Sequence, residues 1–268
     1  MKPAPADTVV TTSNDVTRYL AVCLPTPLPD VPPAITIPTG LYITLVESTA
    51  PYTVEVAGQI WQRYADNLPK GLSRGIFIPN AKEQPTLKEV YREKRNNEEL
   101  IGWSFHATLR EAFDYSRYPM DRHQIRLRMW HPDYARNVFL TPDLSGYTTT
   151  DPAALPGVDT GLVLEDWDIE QAFFSFRTYQ QETDFGVSTY AADEVHPELY
   201  YSIAVRRELI SPLIARGITP LVTLLTVFVL VTVLSKDQAQ RDKFGAAPGS
   251  VTMVGAALLF AVLLSHNA

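Results

Sequence analysis

The sequence predicts a mainly β, immunoglobulin-like sandwich followed by α-helical transmembrane segments. Three observations lead there. Residues 39–205 hold many runs in which aromatic and β-branched side chains alternate with polar ones, the period of a half-buried strand. Gly217 to Ser235 is 19 residues without a charge. After a polar break from Lys236 to Lys243, Phe244 to Ala268 is again free of formal charge. A helix needs about 20 mostly apolar residues to cross a bilayer core.

Residues 1–38 carry Pro25, Pro27, Pro29, Pro32, Pro33 and Pro38, and read as an extended linker, because proline fixes φ and removes a donor. The strands follow in order. Gly40 to Val46 is rich in Leu, Ile, Tyr and Val, and Tyr52 to Trp61 puts Val54, Val56, Gly58 and Ile60 on one face. Ile101 to Phe113 places Trp103, Phe105, Ala107 and Leu109 together, and Ile125, Leu127 and Met129 alternate with Arg126, Arg128 and Trp130. Gly161–Ile169, Ala172–Tyr179 and Leu199–Val205 complete the set. Seven or more such strands with Pro/Gly-rich connections point to an antiparallel sandwich. Only Gln84 to Glu99 reads as helical, and it is charged enough to be a solvated surface helix or loop. The predicted organisation is a linker over 1–38, a sandwich over 39–207 and two membrane helices over 208–268.

Charge divides the chain in the same place. The net charge is −7, yet residues 1–205 hold 17 basic and 27 acidic side chains. Such a surface repels phosphates, so nucleic acid is not an expected partner, whereas cations suit it. The single cysteine, Cys23, excludes an intrachain disulfide and a cysteine metal site. MKPAPADTVV has no apolar core and is not a secretory signal. Both ends read as cut from a longer membrane protein.

Catalytic motifs are missing: no G-x-S-x-G, no H-E-x-x-H, no phosphate loop and no dinucleotide fingerprint. His106, His123, His131, His196 and His266 lack ligand spacing. Asp166 and Asp168 flank Trp167 and would share one strand face, either for acid–base work or as a solvated pair. The chain reads as neither an enzyme nor a cofactor or metal carrier.

A series of small motifs is more specific than any one of them. Tyr64-Ala65-Asp66 ends a long strand, and Phe77-Ile78-Pro79-Asn80-Ala81 follows. Then come the turn Tyr118-Pro119-Met120-Asp121, a strand ending in Trp130, Trp167 near a strand start, and Arg206-Arg207 before the first apolar segment. From residue 39 onward this order resembles the pentameric ligand-gated ion channels, the Cys-loop receptor superfamily, in the bacterial form that lacks the loop cysteines. The sequence departs from that pattern at Met120, where an aromatic is usual, at Asn80, where Asp is common, and in ending after two apolar segments.

The resemblance implies about ten strands, a homo-pentamer, and a small-molecule or cation ligand bound between sandwiches by Phe77, Trp130 and Tyr190. It places the β-domain on the periplasmic side of the plasma membrane. Tyr118, Pro119, Met120 and Asp121, with Arg206 and Arg207, would couple the sandwich to the helices, and Asp121 would pair with Arg206 or Arg207. Thr252, Ala256, Leu259 and Leu263 fall at i, i+4, i+7 and i+11 and would line a pore closed by apolar rings. Gly255, Ala256 and Ala257 would otherwise form a helix-packing face. In the place of an acid before the pore helix stands Pro248-Gly249, with Asp242 further back. The alternative function is a membrane-anchored periplasmic sensor that signals to an output domain.

Overall fold

A computed structural model describes residues 7–24, 34–95, 97–134, 137–180, 195–208, 220–228 and 253–257. The chain divides into two compact units, residues 1–206 and 207–268. In the first unit one sheet has the strand order β1-β8-β9-β6, from β1 (Thr8–Val10), β8 (Trp167–Gln180), β9 (Val195–Arg207) and β6 (Arg122–Met129). The other is β4-β5-β3-β2-β7, from β4 (Lys88–Arg95), β5 (Glu98–Arg110), β3 (Thr53–Ala65), β2 (Ile35–Ala50) and β7 (Val138–Pro142). Their buried faces share one apolar core, to which Leu41, Ile60, Ile101 and Leu109 contribute from the five-stranded sheet and Ile125, Phe176, Leu199 and Tyr201 from the other.

Alternation builds this core. Along β3, Val54, Val56, Ile60 and Tyr64 are buried, each two or four residues from the next. The two buried polar side chains on this line are joined: Gln62 Nε2 donates to Thr39 Oγ1 at 3.2 Å, and Tyr64 OH donates to Gln62 Oε1 at 2.6 Å. Gly58 stands on the same line for lack of space. A Cβ there would lie 2.1 Å from the Tyr42 carbonyl oxygen, beside the irregularity between Ile43 and Leu45 in the β2–β3 ladder. Gly58→Ala is expected to lower stability by about 1–3 kcal/mol, because backbone must move. Urea denaturation measures this, and an unchanged midpoint would show that the bulge relaxes freely.

The structure corrects several expectations. Among the described residues no helix is long and apolar enough to cross a membrane. The predicted pair of transmembrane segments over 208–268, and with it the membrane-channel architecture, is therefore not what the structure describes. In that stretch the described helical residues are 220–228 and 253–257.

Within residues 84–99, expected as a solvated surface helix or loop, 88–95 form β4 and Glu98 opens β5. Asn97 takes a left-handed φ of 69°, which a tight hairpin requires. Charges on both faces suit an edge strand exposed along most of its length. The one exception is Tyr91, whose ring covers Gly102 so closely that a Cβ there would meet it at 2.2 Å. Residues 8–23, expected within an extended linker, form β1 and an α-helix, α1 (Ser13–Cys23). Thr12 and Asp15 close its first turn as a reciprocal capping box. Tyr19 of α1 stacks on Phe176 with centroids 4.7 Å apart. The sheets are not wholly antiparallel, because β2 pairs in parallel with β7 from Ile35↔Val138 to Thr39↔Pro142. Past that ladder the Tyr147 hydroxyl accepts from Leu41 N–H and donates to Leu41 C=O, at 2.7 and 2.8 Å.

Candidate functional site

Strand β6 organises the site. Its inward residues His123, Ile125, Leu127 and Met129 are buried, while Gln124, Arg126 and Arg128 alternate with them and are less enclosed. At its end Trp130 pairs with Phe77 across an isolated antiparallel bridge. Phe77 N–H donates to the Trp130 carbonyl at 2.8 Å and Trp130 N–H to the Phe77 carbonyl at 2.9 Å. Their rings lie 6.0 Å apart, and Tyr134 adds a third ring 5.1 Å from Trp130. The two expected ligand residues among those described are thus brought together. Tyr190, the third, lies outside the described residues.

Asn80 continues the closure of this strand. Its Nδ2 donates to the Arg126 carbonyl at 2.7 Å and its Oδ1 accepts from Arg128 N–H at 3.3 Å, so one side-chain amide takes the place of a peptide from a neighbouring strand. An Asp here could accept but not donate. Arg126 N–H itself donates to Glu111 Oε1 at 3.0 Å.

Beneath Trp130 lies a buried carboxylate. Glu198 is 4% exposed. It receives Arg128 Nε at 3.0 Å and Arg128 Nη2 at 2.5 Å, Trp130 Nε1 at 2.8 Å, and the Tyr200 hydroxyl at 2.8 Å. Arg128 also stands 4.8 Å from the Trp130 ring centroid. One ring face is therefore held by the chain's own cation, whose charge Glu198 balances. Tyr200 has Arg177 over its ring at 5.3 Å, and Arg177 pairs with Asp7. Glu198, Arg128, Tyr134 and Tyr200 escaped sequence reasoning. The available signal was the i, i+2 spacing of Arg126, Arg128 and Trp130, which puts cations and an indole on one face.

The opposite end of β6 carries the proline loop. Tyr118 and Met120 are exposed, and the Tyr118–Pro119 peptide is cis. Asp121 is buried at 1% exposure with its Oδ2 2.7 Å from His123 Nε2. The rings of Phe113, Tyr115 and Trp167 surround His123 with centroids 4.5, 5.2 and 5.0 Å away. Asp121 was expected to pair with Arg206 or Arg207, and the first of these arginines is engaged elsewhere. Arg206 instead reaches Asp168 at 3.2 Å and Glu170 at 3.6 Å. Arg206 and Arg207 are the last two residues of β9. Asp166 and Asp168 do not share a strand face either, since Asp166 sits in the turn before β8 with a φ of 63°. Of the expected pore residues, Ala256 lies in the helical residues 253–257, and Thr252, Leu259 and Leu263 lie outside the described residues.

Two buried groups have displaced protonation equilibria. Burial pushes the Glu111 carboxyl up to about 7, against the bond from Arg126 N–H and the nearby guanidinium, which favour the anion. Burial pulls His131 down to about 4, against the attraction of Asp133. The His131 Nδ1 accepts Asp133 N–H at 3.0 Å, which leaves the proton on Nε2, buried and without a partner. Among the described residues no group of three His, Cys, Asp or Glu side chains is arranged to hold a metal ion.

No protein-family model matches the chain, and no curated protein sequence matches it.

Proposed function

We propose that the chain is a ligand-sensing module of the kind that pentameric ligand-gated ion channels carry, with a small molecule taken at the Phe77–Trp130 surface on the border between copies. The observation that carries this reading is the span of β6. One strand holds the aromatic surface at Trp130 and the proline loop at Asp121, nine residues apart, which is about 30 Å of extended chain. Both ends are fixed to the core: Trp130 by Glu198 and the Phe77 bridge, Asp121 by His123 inside its ring of aromatics. A displacement at one end has a stiff route to the other. The net acidity of the first 205 residues favours a cationic or zwitterionic ligand over an anion. Because Arg128 covers one face of Trp130, the ligand would meet the exposed Phe77 ring and the remaining Trp130 surface.

Two measurements on the full chain test this. Native mass spectrometry is expected to show five copies, and a monomer at every concentration would reject the reading. Hydrogen exchange is expected to link the two ends: Phe77→Ala should change exchange of the amides at 118–121 by at least about twofold. Unchanged exchange there, with changes confined to residues around Trp130, would remove the coupling role.

A further inference from the structure

A second feature of β6 lies away from the aromatic surface. Where the strand begins, a cavity of about 410 Å³ opens, lined by Glu111, Asp114, Arg122, Gln124, Arg126 and Glu170 among others. That is the size of a small-molecule site. It includes none of Phe77, Trp130 or Glu198.

Most charges lining it are already matched. Arg122 pairs with Glu170 at 3.3 Å, Arg206 also reaches Glu170, and Asp114 accepts Ser116 N–H at 2.9 Å. Two are not. Glu111 is 9% exposed, and both its bonds, from Arg126 N–H and Asn80 Nδ2, fall on Oε1. Its Oε2 takes no hydrogen bond from the described residues. Arg126 bonds only Gln124 Oε1, through Nε at 3.2 Å and Nη2 at 2.7 Å, and pairs with no carboxylate among the described residues. The remaining N–H groups of its guanidinium have capacity for an oxyanion. A buried acid and an unpaired guanidinium thus line one cavity without pairing with each other.

We propose that this cavity binds a zwitterion of amino-acid size, its ammonium on Glu111 Oε2 and its carboxylate on the Arg126 guanidinium. A lone anion would leave Glu111 Oε2 without a donor, and a lone cation would leave the spare Arg126 N–H groups without an acceptor. A molecule carrying both charges satisfies the two together. Phe113, Ala112, Ala204 and Val205 supply apolar lining for its side chain.

The proposal has a proton signature. Glu111 is partly protonated near neutrality, and it is faced by Arg122, His123 and Arg126 of β6, Arg177 and Glu170 of β8, Asp114, and the Asn80 amide. An ammonium placed on its carboxyl favours the anion, so binding at pH 7 should release a proton.

Calorimetry on the full chain tests this with L-leucine and with two branched analogues that each keep one charged half, the acid isovalerate and the amine isopentylamine, at pH 7 in two buffers of different ionisation enthalpy. Leucine is expected to bind with proton release and at least about tenfold more tightly than either analogue. Glu111→Gln keeps the Oε1 acceptor, so it should stay folded. It should weaken leucine and isopentylamine by about tenfold or more, abolish proton release and leave isovalerate unchanged. Arg126→Gln should weaken leucine and isovalerate and spare isopentylamine. Absence of saturable leucine binding would overturn the proposal. So would leucine affinity within about twofold of the parent in both variants.

Discussion

Replacing Glu198 by alanine is expected to lower folding stability by about 3–5 kcal/mol, the range found when one partner of a buried ion pair is removed. The size follows from what is left behind. Arg128, whose side chain is only 22% exposed, loses a two-point carboxylate contact, and the Trp130 indole N–H and the Tyr200 hydroxyl lose their acceptor at the same time. Glu198→Gln should fall between the two, since one oxygen still accepts but the charge that balances Arg128 is gone. The double variant Glu198→Ala/Arg128→Met should recover part of the loss, because the stranded cation is removed with its partner. Urea denaturation followed by two independent probes measures all three. A loss below about 1 kcal/mol for Glu198→Ala would mean that water replaces the carboxylate and that the cluster does not anchor the Trp130 end of β6.

The second large effect is one that the parent protein conceals. The folded value of His131 is about 4 against an ordinary 6.5, so between those pH values the unfolded chain binds more protons. Stability from this group rises with pH through that window and is lost as pH falls. Glu111 behaves in the opposite sense. Its folded value is about 7 against an ordinary 4.5, so the folded chain binds more protons in that window and stability falls as pH rises. Each displacement is worth about 3 kcal/mol, and the windows overlap from pH 4.5 to 6.5, where the slopes cancel. In Glu111→Gln, stability should therefore drop by about 3 kcal/mol between pH 6.5 and 4 relative to the parent profile. In His131→Asn, whose Oδ1 still accepts Asp133 N–H, it should drop by a similar amount, about 3 kcal/mol, between pH 4.5 and 7. Urea midpoints taken across pH give both slopes. Parallel profiles for parent and variants would show that neither group is displaced in the folded chain.

The strands that bury one face could be read directly. Val54, Val56 and Ile60 alternate without a break, and so do Ile125, Leu127 and Met129; both runs are strands with those side chains inside. Elements whose side chains answer to solvent were harder to see. Strand β4 buries none of its residues, so its charges mimic a surface helix, and the hairpin signal lay in the Asn96-Asn97 pair. The capping box of Thr12 and Asp15 marks α1, but the nearby prolines dominated the reading of that region. Strand β7 is only five residues long, and a parallel partner supplies its edge. The membrane expectation rested on absence of charge, which reports the solvent a segment tolerates and not helix length; among the described residues no helix is long and apolar enough to cross a membrane. In the site, Phe77 and Trp130 came from motif order. Glu198, which fixes Trp130, lies 68 residues away along the chain, and only the β6–β9 ladder brings the two together.

On the outer rim of β6, Asn80, Glu111 and Phe77 occupy both peptide groups of Arg126 and of Trp130 and the N–H of Arg128. A neighbouring copy cannot join this sheet there by adding a strand, since the templating groups are spent. Association along that rim must be written in side chains. Such a code can be edited one residue at a time, and it resists the indiscriminate fibrous growth that open strands invite.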